Sequence, residues 1–228
     1  THLSPAIALL RRDFKTITPI RDVAIVVTIF RLVDALCSNS SCTLDNEQQL
    51  FTRAFEYSLI WSLGGTLAPS KNSDVMLSFS NSFRKVVPSL GMPDSSESKT
   101  IFDYCFDPKS QSYSTWADIV KVREPYIHDS ELPFYSRINV TVDMMRSIDV
   151  CKLLLLNKHP VMICGGAGTG KSQLLQRALK QVSDDIMPVG ISLNFYTDAR
   201  ALQAILEAPL EKKAGKVFGP PGSRDIVY

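Results

Sequence analysis

The sequence predicts an α/β protein in two parts: an N-terminal bundle of helices, then a linker and a phosphate-loop core on a parallel sheet. Three observations predict this. Residues 1 to 90 carry four runs of apolar residues at helical spacing. A small, polar stretch from Gly91 to Thr100 then breaks the pattern. Beyond residue 160, a short apolar run, a glycine-rich loop and a helical pattern follow in that order, as where a buried strand turns into a helix.

Pro5 opens a first helix that runs to about Leu10, and Asp22 can cap a second. In the second, Val23, Val26, Val27, Phe30 and Val33 form one stripe, and Ile25, Ile29, Leu32 and Leu36 another. So wide an apolar face predicts a helix packed on both sides. Thr43 can cap a third helix, in which Phe51, Ala54, Phe55, Ser58 and Leu59 share a face and Gly64-Gly65 supplies a stop. Trp61 is expected in the core and not against a ligand, because its helix is already rich in aromatics. A fourth helix is expected from about Asp74 to Leu90 on Val75, Phe79, Phe83 and Val86.

Past the linker, Ile101 to Asp107 alternates weakly and reads as a short strand, followed by an apolar patch of Trp116, Ile119 and Val120. His128 lies among Tyr126, Asp129 and Glu131, but no second histidine stands at ligand spacing, so no metal or acid–base role is expected. A helix from about Asp143 to Leu156 turns Met144, Ile148, Cys151 and Leu155 inward and ends at His159-Pro160.

Val161 to Cys164 then reads as a buried parallel strand. Gly165, Gly166, Ala167, Gly168, Thr169, Gly170, Lys171 and Ser172 follow, fitting the pattern G-x-x-x-x-G-K-[ST]. Glycines let backbone N–H groups turn toward a phosphate, and the N-terminus of the next helix adds partial positive charge. In this pattern Lys171 reaches the β- and γ-phosphates, and the Ser172 hydroxyl holds Mg²⁺. Val189 to Leu193 is expected as a second strand, about Asp198 to Leu210 as a helix, then a Lys/Gly-rich turn, the Gly219-Pro220-Pro221-Gly222 loop and a third strand from Ile226. That order is a doubly wound α/β domain cut short.

Bulk properties exclude several classes. The balance of 25 Lys and Arg against 23 Asp and Glu leaves no one-signed field for nucleic acid or an anionic membrane. The longest apolar run, Val23 to Phe30, is too short to span a bilayer. Cysteines 37, 42, 105, 151 and 164 are odd in number and scattered, which predicts reduced core thiols in a cytosolic protein. Asn139-Val140-Thr141 matches a glycosylation acceptor by chance, since nothing indicates secretion. The chain begins at Thr1, so a piece of a longer protein is expected.

From about 134 to 228 the chain resembles the third AAA+ module of dynein heavy chains. The resemblance rests on Thr141-x-Asp143-x-x-Arg146, on Pro160 with the apolar run and loop, and on Asn194-Phe195. Leu210-Glu211-Lys212-Lys213 and Gly215-x-Val217-Phe218-Gly219-Pro220-Pro221-Gly222 complete it. Glu56 to Gly65 and Phe102 to Asp107 resemble the helical lid and connector before that module. Gly166-Ala167 replaces the Pro-Thr usual in the loop, and Val140 stands where the family generally has proline; neither change removes a phosphate or Mg²⁺ ligand.

The resemblance implies three segments: a lid at 1–90, a connector at 91–133, and the first half of a P-loop AAA+ ATPase domain at 134–228. It implies ATP or ADP with Mg²⁺ at residues 165–172, and adjacent AAA+ modules of the same heavy chain as neighbours. Through the full-length protein it implies intermediate and light chains and microtubules as partners. The Leu-Glu-Lys-Lys and Val-Phe-Gly-Pro-Pro segments resemble axonemal dyneins, so a cytoskeletal place in a cilium or flagellum is implied. The acidic pair, sensors and arginine finger of the family are expected outside residues 1–228, so this chain alone is expected to bind ATP without hydrolysing it. Two other readings stay open: another P-loop enzyme such as a small-molecule kinase, and a structural module that holds nucleotide as a static brace.

Overall fold

Helices take most of the first 90 residues in the computed structural model, which describes residues 2–38, 47–70, 73–88, 91–93, 99–123, 139–182, 186–222 and 224–228. The helices are α1 (Leu3–Asp13), α2 (Asp22–Ser38), α3 (Glu47–Gly64) and α4 (Val75–Val86). The Asp74 carboxylate starts α4 by accepting from the Met76 and Leu77 N–H groups, at 3.0 and 3.1 Å. Thr43, expected to cap α3, lies outside the described residues.

Helix α2 corrects its expectation. Ile25, Ile29, Leu32, Val33 and Leu36 are buried, but Val23 and Phe30 are 72% and 60% exposed and Val27 is exposed too. The helix is therefore packed on one side only within this chain. Its sequence does not separate the faces, because both stripes are wholly apolar.

One core joins α1 to α4 with the segment that follows them. Leu10, Ile29, Leu63, Phe79 and Phe83 pack with Met92, Ile101 and Phe102. Phe79 is the hub, with ring centroids 5.2 Å from Phe14, 5.5 Å from Phe83 and 5.9 Å from Phe102. Gly64 is required here by contact: a Cβ would stand 2.1 Å from the Phe102 ring. The expected linker is anchored at its start, with Met92 buried and the Gly91 N–H donating to Glu56 Oε2 at 3.0 Å. Residues 94–98 lie outside the described residues.

Ile101–Asp103 is a 3₁₀ turn rather than the start of a strand, closed by a capping box between Thr100 and Asp103. Strand β1 (Tyr104–Asp107) then pairs antiparallel with β2 (Ser112–Thr115). Helix α5 (Trp116–Arg123) buries Trp116 against Val140 and Met145. Helix α6 (Val142–Leu156) is capped by the Thr141 hydroxyl, which accepts from the Met144 N–H at 3.2 Å. It turns Met145, Ile148, Cys151, Leu154 and Leu155 inward; Met144, expected among them, is only half-buried. Leu154 joins a second core with Leu32, Leu36, Tyr57, Trp61 and Phe106, which places Trp61 in the core as expected.

Compactness divides the chain differently from composition. The first unit runs Thr1–Leu175 and the second Gln176–Tyr228, the division falling within α7 (Lys171–Lys180). In the second unit β3 (Ile186–Pro188) pairs in parallel with β6 (Asp225–Val227), in register Ile186 to Asp225. The strand expected at Val189 to Leu193 thus stands three residues earlier. Val189 still donates to the Val227 carbonyl at 2.8 Å, and Gly190 follows. Helix α8 (Ala199–Glu207) is capped by Asp198, which accepts from the Ala201 N–H at 2.7 Å. The expected Lys/Gly-rich turn is an antiparallel hairpin of β4 (Glu211–Ala214) and β5 (Val217–Gly219), with Gly215 at φ +58° in the turn. All four residues of β4 are exposed, so no alternation marked it in the sequence.

Candidate functional site

The glycine loop is reached through the end of α6. The Asn157 and His159 N–H groups fold back on the Leu154 carbonyl at 3.2 and 2.9 Å, and Lys158 takes a left-handed φ of +58°. Asp143 and Arg146 pair at 2.7 Å on the first turn of the same helix. Val161 to Cys164 then follows outside any helix or strand, not as the buried strand expected. Among the described residues it has no ladder partner, and Met162 is 82% exposed. An apolar run becomes a strand only where a neighbour pairs with it. His128 and its acidic neighbours lie outside the described residues.

The loop from Gly165 to Gly170 is exposed, and α7 begins directly at Lys171. Gly168 and Gly170 have φ of +74° and +82°, a conformation that side-chain-bearing residues rarely adopt. A Cβ at either would meet nothing within 4 Å, so the requirement is one of conformation and not of space. The Gly170 carbonyl accepts from the Leu174 N–H at 2.9 Å, closing the first turn of α7. The N–H groups before that turn have no helical acceptor, and no acidic residue stands in it to compete with an anion.

The side chains of the loop bond to the loop itself. The Thr169 hydroxyl donates to the Gly166 carbonyl at 2.9 Å. The Lys171 ammonium donates to the same carbonyl and lies 3.4 Å from Thr169 Oγ1. Gly165 lies close to them: a Cβ there would stand 3.2 Å from Thr169 Oγ1. Residues 165–172 thus form one continuous glycine-rich loop that ends in a helix start. The pattern names Lys171 and Ser172; the bond from Thr169 to Gly166 falls at an unspecified position and carries no sequence signal. Among the described residues, no group of three or more His, Cys, Asp or Glu could hold a metal ion.

Two family models match the chain in succession. Residues 1–118 match the dynein heavy chain AAA lid domain, and residues 126–228 match the P-loop containing dynein motor region. The chain belongs to the dynein heavy chain family. It is a stretch of the motor region in which a helical AAA lid precedes a P-loop AAA segment, an α/β arrangement.

Among dynein relatives, the chain is 33% identical over 233 residues to dynein axonemal heavy chain 17 of Mus musculus. It is 32% identical over 227 residues to the ciliary dynein beta chain of Tripneustes gratilla, and 25% identical over 228 residues to the flagellar outer arm dynein alpha chain of Chlamydomonas reinhardtii. Each match covers 100% of this chain and 5% of the relative. Among the described residues, no helix is long and apolar enough to cross a membrane.

Proposed function

We propose that this stretch of a dynein motor ring holds ATP or ADP with Mg²⁺ at Gly165, Gly166, Ala167, Gly168, Thr169, Gly170, Lys171 and Ser172. The observation that carries the reading is the left-handed pair Gly168 and Gly170 placed directly before the Lys171 start of α7. The loop and first-turn N–H groups take the phosphates, and Lys171 supplies the positive charge. The Ser172 hydroxyl is the protein's ligand to the Mg²⁺ that comes with the nucleotide.

Residues 1–90 act as the lid of the preceding module, 91–133 as connector, and 134–228 as the first half of the nucleotide-holding domain. The neighbours are the adjacent AAA+ modules of the same heavy chain. Intermediate and light chains and microtubules are partners of the full-length protein, and the place of action is a ciliary or flagellar axoneme. Support for that place comes from the axonemal, ciliary and flagellar names of the relatives.

Titration calorimetry of the 228-residue chain with ATP tests the site. Lys171→Ala removes a charge-assisted contact, so affinity should fall about tenfold or more. Unchanged affinity would exclude the loop as the site. Holding nucleotide is separate from turning it over, since hydrolysis also needs an oriented water and charge on the transition state. The acidic pair, sensors and arginine finger are assigned outside residues 1–228, so this chain should show no ATPase above background. Steady turnover that disappears in Lys171→Ala would place the catalytic acid within these residues and overturn that assignment.

A further inference from the structure

The loop's own hydrogen bonds set a condition on how Lys171 can serve a phosphate. Its ammonium already donates to the Gly166 carbonyl, a charge-assisted contact that must open before the ammonium can move. That carbonyl has a second donor, the Thr169 hydroxyl at 2.9 Å. An oxygen that shares two donors releases one of them at lower cost than an oxygen that has only one. The contact between Lys171 and Thr169 Oγ1, at 3.4 Å, is at the long end of the range and is the weaker hold on the ammonium.

We propose that Thr169 is a positioning residue of the phosphate loop: its hydroxyl keeps the Gly166 carbonyl satisfied when Lys171 leaves it, and so frees the ammonium for a phosphate. This rests on the nucleotide site proposed above. Two features make the hydroxyl matter in this chain. Gly165 and Gly166 are consecutive, so the backbone that carries the carbonyl has no side chain to restrain it. The Thr169 side chain is also the group closest to both glycines, with Oγ1 3.2 Å from a Cβ at Gly165 and Cγ2 3.9 Å from one at Gly166. A single side chain therefore braces the flexible start of the loop and shares an acceptor with the functional lysine.

The test compares Thr169→Val, which keeps the shape and removes the hydroxyl, with Thr169→Ser, which keeps the hydroxyl. In the 228-residue chain, Thr169→Val should bind ATP and ADP about three- to tenfold more weakly, the effect of one neutral hydrogen bond, while Thr169→Ser stays near wild type. Without nucleotide, the ¹³C resonance of the Gly166 carbonyl should move in Thr169→Val and not in Thr169→Ser. If that resonance stays in place in both variants, the brace does not exist, whatever the nucleotide does. If wild type binds ATP and Thr169→Val binds it equally well, Thr169 has no positioning role although the site stands. If wild type shows no ATP binding, the site reading itself fails, and the positioning role with it.

Discussion

At the scale of single residues, Lys171 and Ser172 stand next to each other but act through different atoms. Lys171 offers a fixed charge, so its removal should weaken ATP binding with or without Mg²⁺. Ser172 offers a metal ligand, so Ser172→Ala should lose affinity only when Mg²⁺ is present. Titrations of both variants with Mg²⁺ and with a chelator test this; equal losses in all conditions would sink the division of roles. Glu56 is a second residue with a specific prediction. Burial pushes its carboxyl up from the ordinary 4.5, against the Gly91 N–H that pulls it down. A raised acid binds its proton more tightly in the folded chain. Its contribution to stability is therefore full below 4.5 and is lost as pH rises through the higher folded value. Glu56→Gln cannot titrate, so its urea midpoint should fall less than wild type's between pH 4 and pH 8. Parallel curves would show that the carboxyl is not raised. Cys105, pushed up to about 12 by burial, should stay a thiol and resist alkylation at pH 8 in the native chain.

At the scale of elements, α2 is the sharpest case. Its two stripes are both wholly apolar, yet Ile29 is 1% exposed and Phe30 is 60% exposed. Ile29→Ala should cost about 2–5 kcal/mol, the range for emptying a packed site, whereas Phe30→Ser should stay within about 0.5 kcal/mol. Chemical denaturation of the two variants decides the matter, and a large loss for Phe30→Ser would mean that this face is covered within the chain. Helix α4 depends on its cap, since the Asp74 carboxylate bonds two N–H groups at the helix start. Asp74→Ala should cost about 1 kcal/mol by the same measurement.

At the scale of the molecule, the polar stretch after α4 does not separate the core on its two sides. Met92 near its start and Ile101 and Phe102 after it enter the same cluster as Phe79 and Leu63. A sequence-specific protease site placed within 94–98 should therefore give a nicked chain that still elutes as one species under native conditions. Elution as two species would mean that the helices and the segment from residue 99 hold separate cores. Buried apolar surface, not chain connectivity, is what should hold the pieces together.

The sequence by itself determined the helices of the N-terminal part, the burial of Trp61 and the family. These depend on periodicity and short motifs within a few residues of one another. It also located the loop at residues 165–172, because glycine, lysine and serine at that spacing state a chemical requirement directly. Only the tertiary structure decided which stripe of α2 is buried, since that depends on what packs against it. The same holds for Val161 to Cys164, which needs a partner to become a strand, and for β3, whose place is set by its ladder with Asp225–Val227. It was also the structure alone that brought the Thr169 hydroxyl and the Lys171 ammonium onto one carbonyl oxygen, a contact set by the fold of the loop and not by any pattern of residue types.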